Sequence, residues 1–387
     1  MVDIKVNIIG SSKPGHILSK DEALLFSAHN AGVCYTEKPF AEIDKEDLEV
    51  TQNRRDQTLK SEHQSVYDHT TFNLELLGLP KILAMVLNNE KMYTTSEKSA
   101  RYTRMQPTEE EQTLYLDWSK RFGQKIAEKY PKKIKPDRRI KLARENARYA
   151  ISVFTPTNMT HSLSMRQLNY VMHWFNDFVD NADSTPFNNQ LKISMQQFND
   201  QLNSLYVDGL QPRAKFRKLS LFAEREDFQE VFNEVYSTNY EGSFAQLAQA
   251  HRHRTLNYQM QPITDIPTRF FVPPIIADDE TLVENWLEDL ASVAHLYPQG
   301  SLVQINERGL YEDFISKCGE RLCGHAQLEI SLQTDETLQR YITETRDTNP
   351  EVYEELMIFS NGPKCNVKDF NCRSPCLYGK KSLERLI

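Results

Sequence analysis

The chain has 387 residues, 39% of them hydrophobic and 26% charged, with a formal net charge of −8. That length supports two or three domains with sizeable cores, and only 13 glycines and 17 prolines exclude collagenous and low-complexity classes. The acidic balance argues against a nucleic-acid coat, no apolar run is long enough to span a bilayer, and residues 1–10 lack the pattern of a leader peptide. The expectation is a soluble, cytoplasmic protein with neither nucleic acid nor membrane as partner.

Phe72, Leu74 and Leu76 alternate with polar residues and predict a half-buried strand, after which Gly78 and Pro80 turn the chain into a helix carrying Ile82, Leu83, Met85, Val86 and Leu87. A polar stretch follows, 88–101. Lys132–Arg148 is the densest basic run and reads as a solvated helix face, with attraction of an anionic ligand as the competing reading. Val207–Ala214, with Gly209 and Pro212, is the candidate linker.

Beyond it, Val231, Phe232, Val235 and Tyr236 recur at helical spacing and predict a helix interrupted at Asn239–Gly242. Ser243 with Gln246 signals the start of another helix, which runs out at Arg252-His253-Arg254. Ala147-Arg148 and Asn306-Glu307-Arg308 each fall in what reads as a longer helical region. Leu310, Tyr311, Phe314, Ile315 and Cys318 mark a helix that places Arg321 one turn beyond its buried face. Both halves run a helix into a polar, charge-bearing motif, so a duplicated architecture is expected.

Five of the six cysteines, Cys318, Cys323, Cys365, Cys372 and Cys376, lie after residue 317; the sixth is Cys34. They are too few for a disulfide scaffold and contain no Cys-x-x-Cys pair, so thiols are expected, with no metal site assigned. A zinc site of Cys365, Cys372 and Cys376 with Cys318 or Cys323 is the competing reading.

Four clusters carry chemistry. Arg252-His253-Arg254 sits where a capped helix ends, as helix-terminating cations or as a fork for phosphate oxygens. Glu62-His63-Gln64-Ser65-Val66-Tyr67-Asp68-His69 holds two histidines six residues apart, a poor spacing for a metal. Glu97, Ser99 and Arg101 alternate, which suits one side of an extended segment facing a nucleotide phosphate, or a polar loop. Arg321 precedes His325-Ala326-Gln327-Leu328-Glu329-Ile330.

Together these clusters resemble the flavin-dependent thymidylate synthase family. Positions 62–69 are similar to its His-x-Ser/Thr-x-x-Glu/Asp-His element, and Ser99-Ala100-Arg101-Tyr102 matches its Ser-x-Arg-Tyr. The family's Arg-His-Arg should precede Ser99 by seven residues, but Asn89-Glu90-Lys91 stands there. The second half is the reverse: Arg252-His253-Arg254 is present, and Pro262 replaces the serine. Phe270-Phe271-Val272-Pro273 is similar to the aromatic-proline segment after the signature, and Arg321 through Ile330 resembles the family's Arg-x-x-x-x-Ala-Gln-Trp-Glu-Ile, with Phe175 at the corresponding first-half position.

The resemblance implies an α+β fold of two tandem units, 1–206 and 215–360, each with helices packed around a mixed or antiparallel sheet, followed by a cysteine-containing tail, 361–387. It implies a transferase of nucleotide biosynthesis that methylates dUMP at C5 with methylenetetrahydrofolate, NADPH and FAD. C5 hydroxymethylation and a catalytically degenerate nucleotide-binding homologue are the alternatives. Arg321 would be catalytic, stabilising charge developing on the pyrimidine. Glu97, Ser99, Arg101, Arg148 and Gln327 would bind substrate, and His63, Ser65, Arg252, His253, Arg254, Asn306 and Arg308 would bind FAD. Because family sites form between subunits of a tetramer, a homodimer of fused units is expected.

Overall fold

Burial alternates along Thr71–Pro80, with Phe72, Leu74 and Leu76 fully inside, so this segment becomes a central strand as its sequence predicts. A computed structural model describes residues 3–99, 103, 106–212, 218–222, 229–360, 362–367, 370–374 and 376–387. The chain begins with β1 (Lys5–Ser11), α1 (Lys20–Gly32), α2 (Phe40–Ile43), α3 (Leu48–Lys60), β2 (Thr71–Pro80), α4 (Lys81–Leu87) and β3 (Thr94–Glu97). Next come α5 (Glu109–Lys129), α6 (Pro136–Ala147), β4 (Pro156–Ser164), α7 (Met165–Asn181) and α8 (Pro186–Leu202). The second half gives β5 (Val231–Phe232), β6 (Val235–Ser243), α9 (Phe244–Ala250), β7 (Asn257–Met260), α10 (Glu280–Ser292) and β8 (Leu302–Leu310). It closes with α11 (Tyr311–Arg321), α12 (Leu328–Thr345) and α13 (Pro350–Met357).

The helices accompany two four-stranded sheets, ordered β1-β2-β4-β3 and β5-β6-β8-β7. All their strand pairs are antiparallel, so the α+β expectation holds and its mixed option resolves to antiparallel. The two orders are the same. In each sheet a central strand leads directly into a seven-residue helix, α4 or α9. Asn89-Glu90-Lys91 begins two residues after α4 ends at Leu87, and Arg252-His253-Arg254 begins two residues after α9 ends at Ala250. The edge strands β3 and β7 begin three residues after each triplet, and α7 and α11 follow β4 and β8 without a break. Phe175 and Arg321 occupy the same place along those last two helices.

Packing divides the chain differently from the linear halves expected at 206 and 215. One compact unit comprises residues 1–98 and 156–220; the other comprises 99–155 and 221–387, tail included. The reason lies on α5, where Tyr115, Trp118, Phe122 and Ile126 form an apolar stripe at helical spacing. Trp118 and Phe122 meet Trp286 of α10 with ring centres 4.8 and 5.4 Å apart, in a core shared with Ile275, Ile276 and Leu290. Burial of aromatics on this scale outweighs proximity in sequence.

Three local expectations fail. Val231–Tyr236 is not helical: Val231 pairs with Ser237 and Phe232 with Tyr236 across a tight turn, which also brings residues four apart together. Asn239–Gly242, expected to interrupt, continues β6, where Tyr236, Thr238 and Tyr240 are buried at every second position. Asn306-Glu307-Arg308 lies on β8 instead of a helix, whereas Ala147 ends α6 and Arg148 continues it in a short 3-10 helix, so Ala147-Arg148 does fall in a helical region as expected. The expected capping serine does hold: Ser243 Oγ accepts from the Gln246 N–H at 3.0 Å.

Candidate functional site

In the second unit, α11 carries Arg321 at its last position, buried instead of lying beyond the apolar face. Its Nε donates to His253 Nε2 at 2.6 Å, which requires the histidine to be neutral with its proton on Nδ1. Burial, then the charges of Arg321 and Lys317, push the His253 pKa down to about 2. A 4.0 Å approach of His253 to Glu320 is therefore not an ion pair at neutral pH. Within the triplet the two arginines and the histidine separate: Arg252 and Arg254 are exposed and His253 is buried.

Behind this pair lies a network that the sequence reading did not single out. Lys317, one turn before Arg321 on α11, is fully buried with Glu307 of β8. Its Nζ donates to Glu307 Oε1 and Oε2 at 2.8 and 2.6 Å and to Gln333 Oε1 at 2.9 Å. Tyr236 and Tyr240 also donate to Glu307, at 2.8 and 3.1 Å. Burial lowers the lysine pKa and raises those of both tyrosines. The signal was present as a lysine at the 314, 317, 318, 321 spacing of the buried face. Asn306 next to Glu307 ties β8 to β6 through Ser237 Oγ at 2.9 Å and Asn239 Oδ1 at 3.0 Å, while its own Oδ1 is buried without a partner. Arg308 is exposed.

Arg148, from the first half of the sequence, belongs to the same unit and is 97% buried, its guanidinium 5.9 Å from the centre of the Tyr149 ring. Its Nε and Nη2 have no hydrogen-bond partner in the protein. Gln327 Nε2 donates to Tyr149 OH at 2.6 Å, and that hydroxyl donates to Glu329 Oε2 at 2.8 Å. Glu329 in turn accepts from the N–H and Oγ of Ser243 at 2.9 and 2.7 Å. Burial nevertheless raises its pKa and that of Tyr149. Ser99 is in this unit too, its carbonyl accepting from the Thr103 N–H at 3.0 Å; Arg101 lies outside the described residues.

The first unit holds the remaining predicted residues. His63 Nδ1 is 2.6 Å from Tyr35 OH, Ser65 is exposed, and Glu97 pairs with Lys81 at 2.6 Å. Asn89 and Glu90 are turned to structural use here. Asn89 Nδ2 donates to Ser220 Oγ at 2.8 Å, Ser220 Oγ donates back to the Asn89 carbonyl at 3.1 Å, and Glu90 accepts from the Ser220 N–H. Glu90 is 99% buried, and its carbonyl accepts from Gln167 Nε2 at 3.0 Å. Asp68 accepts from Ser164 Oγ at 2.6 Å and from Arg166 Nε at 3.1 Å where α7 begins.

All six cysteines are free thiols, and among the described residues no group of three or more His, Cys, Asp or Glu side chains is gathered to hold a metal ion. Among the same residues no helix is long and apolar enough to cross a membrane.

Residues 17–177 match the family profile of the thymidylate synthase complementing protein. Over that segment, less than half of its length, the chain is similar to this family. The match runs from α1 into α7 and thus contributes to both compact units. No curated protein matches the chain. Among solved structures it is similar to a UMP/dUMP methylase, PolB, from Streptomyces cacaoi bound with 5-Br dUMP, at 16% identity over 44% of this chain and 77% of that one, with a TM-score of 0.30. It is also similar to thymidylate synthase X from Helicobacter pylori with FAD and dUMP, at 15% identity over 54% of this chain and 99% of that one, with a TM-score of 0.32.

Proposed function

We propose that this protein is a flavin-dependent enzyme acting at C5 of a pyrimidine nucleotide, methylating dUMP with methylenetetrahydrofolate as carbon donor and NADPH as reductant. Arg148 carries this reading. A buried guanidinium with two nitrogens lacking protein acceptors is suited to an anionic ligand, because leaving such donors unpaired is costly and charge-assisted bonds to phosphate are strong. Arg148, Ser99 and Arg321 share one compact unit, which supports their assignment to substrate although they come from opposite halves of the sequence.

Arg321 is the residue assigned to catalysis. His253, held neutral, accepts from its Nε and fixes the plane of the guanidinium, so a preorganised positive charge is available to negative charge developing on a pyrimidine ring. For FAD, the exposed Arg252 and Arg254 fit a pyrophosphate, and the unpartnered buried Oδ1 of Asn306 fits a ligand donor. His253 is better described as positioning Arg321. When bound, the flavin supplies hydride. Arg308, His63, Ser65, Glu97, Arg101 and Gln327 keep their assignments on the family resemblance alone.

The inward Asn89 and Glu90 favour a second point: the first unit is the degenerate partner of a tandem pair, lacking a flavin triplet of its own. A homodimer of such fused chains is the assembly proposed. The test is release of tritium from [5-³H]dUMP with methylenetetrahydrofolate, NADPH and FAD. Turnover is expected in the parent and should fall about 10²–10³-fold in Arg321→Ala, the usual cost of removing one preorganised charge or donor. Absence of turnover together with absence of flavin absorbance after desalting would overturn the enzyme reading and leave the nucleotide-binding homologue. Hydroxymethylated product would select the alternative chemistry.

A further inference from the structure

Arg321 is held at a second point besides His253. As the last residue of α11 it presents a carbonyl for which the helix has no N–H of its own. Ser331, in the first turn of α12, supplies the donor. Its Oγ donates to the Arg321 carbonyl at 2.7 Å and shares that proton with the Gln327 carbonyl at 3.0 Å.

The Ser331 hydroxyl is itself fixed from a distant part of the chain. Arg385 is 95% buried, and its Nη2 donates to Ser331 Oγ at 3.1 Å and to the Ala326 carbonyl at 2.9 Å, one acceptor for each proton of that nitrogen. Its Nη1 donates to the Ser382 carbonyl within its own segment. Ser382, fully buried, directs its Oγ to the Leu322 carbonyl at 3.4 Å. The segment is anchored at its far side, where the Leu386 N–H donates to Tyr130 OH at 2.9 Å and Ile387 joins the core of Trp118 and Trp286. All of these residues belong to one compact unit. Residues 379–387 thus run from the core of α5 and α10 to the connection that follows Arg321.

We propose that Arg385 is a positioning residue for Arg321, and that residues 379–387 form a strap that fixes the main chain of Arg321 through Ser331. His253 orients the side chain from one end, and Arg385, acting through Ser331, holds the backbone at the other. A planar guanidinium suits this task because its fixed fork reaches the Ser331, Ala326 and Ser382 oxygens together, which an ammonium on a flexible stem does not. The consequence for turnover rests on the C5 reading above, whereas the consequence for His253 does not.

Two measurements on the full chain test it. In protein labelled with ¹⁵N-histidine, with the His253 signals identified by their loss in His253→Gln, the parent should show the Nδ1–H tautomer that the Arg321 donor demands. Arg385→Ala and Ser331→Ala should each turn that signal into a mixture of tautomers. In tritium release from [5-³H]dUMP, kcat should fall about 10–10²-fold in both variants while KM for dUMP stays within about threefold of the parent, because a misplaced charge is felt in the transition state more than in binding. Ser331→Ala removes one buried hydroxyl with little change of shape, so it keeps the test open if Arg385→Ala fails to fold. A parent-like tautomer in the folded variants overturns the proposal. So does a parent-like kcat per folded molecule, which is the result a merely stabilising role would give. A parent without turnover overturns the C5 reading instead, and the tautomer of His253 then decides the strap.

Discussion

The turn after α4 and the turn after α9 occupy the same place in two sheets of the same strand order, yet they do opposite things. After α9, Arg252 and Arg254 face outward and His253 turns in to meet Arg321. After α4, Asn89 and Glu90 turn in and hold Ser220, with no cationic fork left to offer a ligand. The same contrast runs along α7 and α11, where Phe175 is fully buried against the Phe198 ring and Arg321 is tied to a histidine. A backbone position can be kept while its chemistry is exchanged, because the sheet and short helix set the geometry and the side chain decides whether charge or packing fills it.

The strongest way to break this comparison is at Phe175. Its ring is fully buried and meets Phe198 edge-on at 5.5 Å. Phe175→Ala should cost about 3–5 kcal/mol of stability by denaturant titration. A loss below about 1 kcal/mol would mean that the first unit does not depend on this position for packing.

Glu90 comes next. Removing its carboxyl in Glu90→Ala strands the Ser220 N–H, which should destabilise the protein by about 1–3 kcal/mol and raise protease sensitivity near residue 220. An unchanged unfolding midpoint with intact parent-like proteolysis would show that the inward triplet anchors nothing.

The smallest effect per step is a pH slope from the other triplet. His253 is held neutral in the folded state, whereas the unfolded chain takes up a proton near pH 6.5. Protonation therefore favours unfolding: stability from this group is complete above pH 6.5 and falls by ~1.4 kcal/mol per pH unit as the pH drops toward about 2. Stability measured from pH 7 to pH 5 should be correspondingly flatter in His253→Gln. Equal slopes in parent and variant would show that His253 is not the buried neutral acceptor of Arg321.

Local pattern was enough for some of this. The alternation of Phe72, Leu74 and Leu76, the helix after Pro80 and the Ser243 cap follow from the chemistry of neighbouring residues and appear where expected. The register that equates the two triplets, and Phe175 with Arg321, was implied by the family resemblance and not by the spacing of the residues themselves. Val231–Tyr236 misled because a tight hairpin and a helical turn both bring residues four apart together, and only strand pairing distinguishes them.

What the sequence by itself determined is therefore the elements whose cause is local and the identity of the charged clusters. Tertiary structure alone decided that residues 99–155 pack with the second half, because Trp118 and Phe122 find their partner in Trp286 more than 160 residues away. It alone decided that Glu307 and Lys317 form a fully buried pair, that Arg148 lacks protein acceptors for two of its nitrogens, and that Gln327 Oε1 is buried without a partner. Burial and hydrogen-bond satisfaction depend on every element that closes around a side chain, and no spacing rule along one strand or helix contains that information.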